Sequence, residues 1–424
     1  ALPLEHFVPD GEARVFPDGR LYLYGSYDIS GESFYCSREY HVFSTADLEH
    51  WTDHGVSFTT HGASWGPEWD GQTLFAPDCI QLNGHYRLFF CTAGNGEGVA
   101  TSTRPEGPFT DPRPVAGAHG DAIDPAGFVD DDGAVYYYWG QFHARGARFL
   151  PDLSGIDPST LNADLINEEE HGFHEGPSVR KRNGIYYLVY ADISRGRPTS
   201  LGYATAAHPL GPFTKRGIII DNTGCYPETC NNHGSIADLN GSWYVFYHRS
   251  SQASNYNRRL CIEPITFNPD GTINEVEMTT NGAGPPLDPQ RELDASRACL
   301  LRGHARAEPL DPTVHGPGQE VLARITHDDA ACYRYFRFTG ESGVRITAGS
   351  ATYGGTVEIR LDEPDGELMG SCEIRPTGGW TRFSSFQCPV KPVSGIHAVW
   401  LVFRRAAGGK YGRLFDLRSI SFQR

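Results

Sequence analysis

The chain has 424 residues, a formal net charge of −16, 21% charged residues and 12% aromatic residues. That length holds a large core and more than one domain, and the composition excludes a disordered or fibrous chain. The acidic balance excludes a nucleic-acid partner, because phosphate recognition needs a basic face, and no apolar run is long enough to imply a membrane partner.

In chain order, the opening "ALPLEHF" carries no Met and reads as a mature or trimmed form, expected to be secreted or at the cell surface. Five similar pieces follow: "PDGRLYLYGS", "LNGHYRLFFC", "DDGAVYYYWG", "RNGIYYLVYA" and "LNGSWYVFYH". Each begins with Asp-Gly or Asn-Gly ahead of an aromatic, β-branched run, the strongest short hairpin signal. The turn glycines are Gly19, Gly84, Gly133, Gly184 and Gly241, with gaps of 65, 49, 51 and 57 residues. That period suits one four-stranded antiparallel unit, so residues 1–290 are expected to form a five-bladed β-propeller. Residues 281–290, "NGAGPPLDPQ", read as a linker. Alternating strands then predict a β-sandwich, of jelly-roll type, over 291–424, and the fold class is all-β. Ten cysteines include no CxxC zinc pattern; Cys225 with Cys230, and Cys372 with Cys388, are placed so that they could pair, while most of the cysteines read as small buried residues.

The acids show a second regularity. Asp10, Asp124 and Glu175 each lie nine residues before a turn glycine. His233 lies eight before Gly241, and Asp78 six before Gly84. Equal offsets in equivalent blades put side chains at one end of a common axis. A ring of carboxylates suits glycoside hydrolysis, where one acid protonates the leaving oxygen and another activates water. A third raises or orients the acid. The same ring with His233 also suits a Ca²⁺ or lectin-like site. Phe75 and Trp139 are either blade packing or an apolar floor under a sugar ring.

The segments "FVPDGEARVFPDGRLYLYGSYD", "FAPDCIQLNGHYRLFF", "DAIDPAGFVDDDGAVYYYWG", "HEGPSVRKRNGIYYLVYA" and "NNHGSIADLNGSWYVFYHR" resemble glycoside hydrolase family 43. The resemblance implies inverting cleavage on a five-bladed propeller, with Asp10 as general base, Asp124 as modulator and Glu175 as general acid. His233 then matches an axial histidine near a channel metal or water cluster, and Arg258, in "RRLCIEP", an arginine that reaches the pocket. Asp78, Phe75 and Trp139 complete the expected substrate contacts. Asp10 is followed by Gly11, where the family usually has proline. The C-terminal strands resemble family 6 carbohydrate-binding modules, with Trp380 and Tyr333 as candidate sugar contacts and a structural Ca²⁺ allowed in the module or the channel. No cofactor is required for the chemistry. The expected substrate is a terminal α-L-arabinofuranoside on a polysaccharide or glycan side chain. The alternatives are a β-D-xyloside, a β-D-galactofuranoside, or a non-catalytic sugar-binding propeller.

Overall fold

The computed structural model describes residues 2–62, 69–93, 96–120, 122–226, 231–406, 408–409 and 412–424. Cys230 lies outside them, and so does its expected pairing with Cys225.

Each Asn-Gly or Asp-Gly turn joins the innermost strand of a blade to the next. All five turn glycines have φ between 73° and 82°, the left-handed region that glycine enters at no steric cost. The inner strands are Glu12–Val15, Leu74–Leu82, Ala126–Val129, Phe173–Arg182 and Ser235–Leu239. Four of them begin four-stranded antiparallel sheets. The fifth blade has three described strands, Ser235–Leu239, Ser242–Ser251 and Ser254–Ile265. Its outer edge meets the linker instead of a fourth strand: the Thr279 amide and hydroxyl both donate to Glu263. A parallel bridge between Gly11 and Gly234 closes the ring of blades. A Cβ on Gly234 would stand on the Phe246 carbonyl oxygen, which explains glycine at that seam.

Strand alternation packs blade on blade. In Ile185–Asp192, Tyr186, Leu188 and Tyr190 join a cluster with blade 3, while Tyr187 and Val189 join one with blade 5.

The second domain is a sandwich. One sheet contains Arg306–Pro309, Glu320–Ala323, Asp416–Gln423, Gly343–Gly349 and Ser384–Pro389, and Leu293–Asp294 pairs with Asp416–Gln423. The other contains Leu300–Arg302, Ala330–Thr339, Ser394–Arg405, Gly355–Leu361 and Leu368–Ile374. The expected Cys372–Cys388 disulfide joins the two sheets. "AVWLVF" in Ser394–Arg405 is apolar at every position because both faces are covered. Val399, Leu401 and Phe403 point into the sandwich, whereas Ala398, Trp400 and Val402 pack on the propeller with Tyr226 and Ile219. Tyr333 is fully buried, its hydroxyl donating to the Ala295 carbonyl, so it is a core residue and not the sugar contact expected of it. Trp380 lies under the Arg413 guanidinium, 4.2 Å from its ring centre.

Candidate active site

The ring offset explains the site. Asp10 and Asp124 each precede an inner strand, and both have φ of 57°, which turns the chain so that the carboxyl faces the axis. Glu175 lies within Phe173–Arg182, where the register shifts on both sides of it, between Phe173 and Glu175 and between Glu175 and Ser178. Such bulges re-aim a side chain beside a site. His233 stands between the first two acids, with Nδ1 3.7 Å from Asp10 Oδ1 and 3.9 Å from Asp124 Oδ2. Gly176 lies against the same ring: a Cβ there would stand 2.5 Å from His233 Nε2.

Asp10 is only 5% exposed. Arg258 Nη1 donates to its Oδ1 at 3.0 Å and Ser26 Oγ to its Oδ2 at 2.6 Å. Burial opposes its charge, but Arg258, then His233 and the Ser26 hydroxyl, outweigh it and hold the carboxyl below its usual range. His248 accepts the Asp10 amide on Nδ1 at 3.3 Å and meets Asn231 Oδ1 through Nε2 at 2.8 Å, so a neutral ring with its proton on Nε2 satisfies both. Burial pushes the His248 ring down to about 3, which keeps it neutral.

Asp124 is equally buried, but among the described residues no Arg or Lys forms an ion pair with it. Burial first, then Glu175 and Asp10, push its carboxyl well up. Its backbone amide meets Cys91 Sγ at 3.4 Å. Glu175 is half-buried, and Gln141 Nε2 donates to its Oε2 at 2.8 Å. One end of the axis therefore holds an ion-paired carboxylate and, facing it, two carboxyls in mutual electrostatic contact.

The other expected residues divide. Phe75 is half-buried at the ninth position before Gly84, in register with the acids. Asp78, three residues deeper, is a correction. It has no exposed surface and is forked by Arg14 Nε and Nη2 at 2.8 and 2.5 Å, while the Gly127 amide donates to its Oδ2. It belongs to a buried network with Glu12 and Arg180 below the pocket, not to a substrate contact. Trp139 is also corrected. It is wholly buried in the cluster between blades 2 and 3, with Nε1 donating to the His119 carbonyl. Arg258 reaches the site, but its guanidinium forks onto Asp28 and holds Asp10, so it braces an acid. For His233, the protein oxygens at hand are few for Ca²⁺, which takes six to eight, water included. Of the two neighbouring carboxylates one already holds Arg258, and among the described residues no three His, Cys, Asp or Glu side chains gather as metal ligands.

Sequence reasoning missed Ser26, Asp28, Gln141 and His248. The stretch "YGSYD" after the first blade's hairpin strand holds both Ser26 and Asp28 and could have pointed to them; nothing local marks Gln141 or His248. The four meet the site through partners 16 to 238 residues away in the chain.

The model of glycosyl hydrolases family 43 matches residues 5–273, and that of carbohydrate binding module family 6 matches 309–424. An arabinoxylan arabinofuranohydrolase of Bacillus subtilis (strain 168) is 30% identical, over 97% of this chain and 90% of its own. A xylosidase/arabinosidase of Thermoclostridium stercorarium is 28% identical over 95% of each. The crystal structure of a family 43 arabinoxylan arabinofuranohydrolase from Bacillus subtilis, in complex with cellotetraose, superposes with a TM-score of 0.55 at 27% identity, covering 99% of this chain and 96% of that one. With a family match over more than half its length and the acids gathered at one end of a five-bladed ring, this chain belongs to glycoside hydrolase family 43.

Proposed function

We propose that this glycoside hydrolase is exo-acting and inverting, and that it releases terminal α-L-arabinofuranose from polysaccharide or glycan side chains. The observation that carries the reading is the contrast between two equally buried acids. Asp10 is held ionised by Arg258, whereas Asp124 is pushed toward its protonated form beside Glu175. Inversion requires one ionised and one protonated carboxyl: Asp10 is the ionised one, and Asp124 with Glu175, in electrostatic contact, form the side of the site that carries the proton. Asp10 takes a proton from water as the water attacks the anomeric carbon. Glu175, held by Gln141, gives its proton to the leaving oxygen. Asp124 orients Glu175 and modulates it through the electrostatic contact between the two carboxyls. His233 spaces Asp10 from Asp124. No step in this scheme needs a cofactor.

The choice of arabinofuranose is supported by the names of the relatives that span nearly the whole chain. The second reading is a β-D-xylosidase or β-D-galactofuranosidase, since relatives over 64% of the chain carry those names. A polymeric substrate also supports a secreted or cell-surface location, and the family 6 module supports binding of the same polymer.

Three p-nitrophenyl sugars, α-L-arabinofuranoside, β-D-xyloside and β-D-galactofuranoside, test the reading. Arabinofuranoside should be cleaved fastest, and proton NMR of early product should show the inverted anomer. Retained stereochemistry would overturn the acid–base assignment. Glu175→Gln should lose roughly 10²–10⁴-fold on substrates with poor leaving groups and much less on activated aryl glycosides. Equal losses on both would remove Glu175 from the acid's role.

A further inference from the structure

We propose that Phe34, Tyr35 and Tyr256 form a ledge at the pocket rim that stacks on a sugar ring of the chain bearing the cleaved residue. The inference rests on the glycosidase reading above and extends it to the leaving-group side.

Phe34 is 61% exposed although it is a large apolar residue on the loop before Cys36. Its ring centre lies 5.6 Å from that of Tyr35 and 6.2 Å from that of Tyr256. Tyr35 and Tyr256 meet edge to face at 4.7 Å. These rings come from blades 1 and 5, and polar contacts pin the loop. Ser30 Oγ donates to Gln252 Oε1 at 2.7 Å, Asn231 Nδ2 reaches the Tyr35 hydroxyl at 3.4 Å, and the Cys36 amide donates to Asp28 at 2.9 Å.

The ledge is continuous with the acids. The Arg258 guanidinium that holds Asp10 lies 4.8 Å from the centre of the Tyr35 ring. Burial raises the Tyr35 hydroxyl, Arg258 opposes the rise, and Tyr256, Glu175 and Asp10 add to it, so this hydroxyl lies within the field of the site's charges. Exposure increases along the path: Asp10 is buried, Tyr35 half-buried and Phe34 open. A terminal sugar at the acids leaves its aglycone pointing outward along that gradient.

A pyranose ring fits the chemistry. Its axial C–H face packs on an aromatic face, and its hydroxyls stay in water or bond to a tyrosine hydroxyl. A protein partner fits poorly. Two of the three rings are already half-covered, and a stable protein interface needs about 800 Å² from each side.

The test compares polymer with aryl glycoside. For Phe34→Ala, and separately Tyr256→Ala, kcat/KM on arabinoxylan or a branched xylo-oligosaccharide is divided by kcat/KM on the p-nitrophenyl glycoside of whichever sugar the wild type releases. The ratio should fall roughly tenfold, the usual scale for losing one aromatic anchor, mainly through KM. Phe34→Tyr should restore it. An unaltered ratio in an active enzyme overturns the ledge alone. A wild type that releases none of the three sugars overturns the reading of the site, and this inference with it. A dimer in light scattering that Phe34→Ala dissolves would instead assign the patch to self-association and overturn the sugar assignment.

Discussion

Asp10 and Asp124 share a backbone conformation and a degree of burial, yet their carboxyls move in opposite directions because only one faces a guanidinium. The sign of each stability contribution follows. Asp124 has a folded value above the unfolded 3.8, so its contribution is fully present below about pH 3.8 and is lost as pH rises through the folded value. Asp10 has a folded value below 3.8, so its contribution is present above 3.8 and lost as pH falls. Asp124→Asn should therefore raise Tm at pH 8 by a few degrees while nearly abolishing turnover, at roughly 2–4 °C per kcal/mol. At pH 4 the gain should shrink. Asp10→Asn should abolish turnover and lower Tm at pH 8, by about 2 kcal/mol of lost charge-assisted bonding. Thermal melts of both variants at the two pH values check this, and a fall in Tm for Asp124→Asn at pH 8 would contradict it.

At the scale of the strand, the bulge around Glu175 and the glycine after it work together. Gly176 has φ of 71° and no room for a Cβ beside His233. Gly176→Ala should push the imidazole from its place between Asp10 and Asp124. The expected result is a strained backbone costing about 1–3 kcal/mol and a kcat loss of at least tenfold. Far-UV circular dichroism should stay native, while the acid limb of the pH–rate profile should move as Asp10 loses His233. A variant with wild-type kcat and profile would show that the histidine does not need that seat. Blade 2 has its own register shift, between Phe75 and Asp78. In blade 2 the acid stands at the sixth position before the turn, not the ninth, and those three residues carry it from the pocket into the axial ion pair with Arg14.

At the scale of the whole molecule, the two domains share a surface and a cavity of about 890 Å³, lined by Arg259 and Glu263 of blade 5, the 279–293 linker and Glu320 of the sandwich. One buried ion pair crosses it: Arg259 Nη2 donates to Glu320 Oε1 at 2.7 Å, and Gln252 shares that oxygen. Removing one member of such a pair leaves a buried charge without compensation, at a cost of about 3–5 kcal/mol. Glu320→Ala should lower Tm and split a single calorimetric transition into two, as sandwich and propeller separate in stability. A shift below about 1 °C would mean that the other contacts across the junction, the packing of Trp400 and Val402 and bonds such as Leu301 N–H to the Gly224 carbonyl, hold it without this pair.

The local code determined much of this protein. An Asn-Gly or Asp-Gly turn has one easy backbone solution, and an aromatic, β-branched run after it has one easy partner, so five hairpins and their repeat were legible before any contact was known. The repeat then made the offsets of Asp10, Asp124 and Glu175 meaningful, because equivalent positions in equivalent blades share an end of the axis. Tertiary structure decided what each side chain meets there. The same aspartate reads alike in sequence at positions 10, 78 and 124. Arg258, Arg14 and Glu175, brought in from 248, 64 and 51 residues away, make the first an ion-paired carboxylate, the second an axial brace and the third a group pushed toward protonation. Burial of Trp139 and Tyr333 was likewise invisible locally, since an aromatic in a strand carries no mark of which face a neighbouring blade or sheet will cover. Charge and dielectric are summed over neighbours in space, and only the closed ring of blades brings those neighbours together.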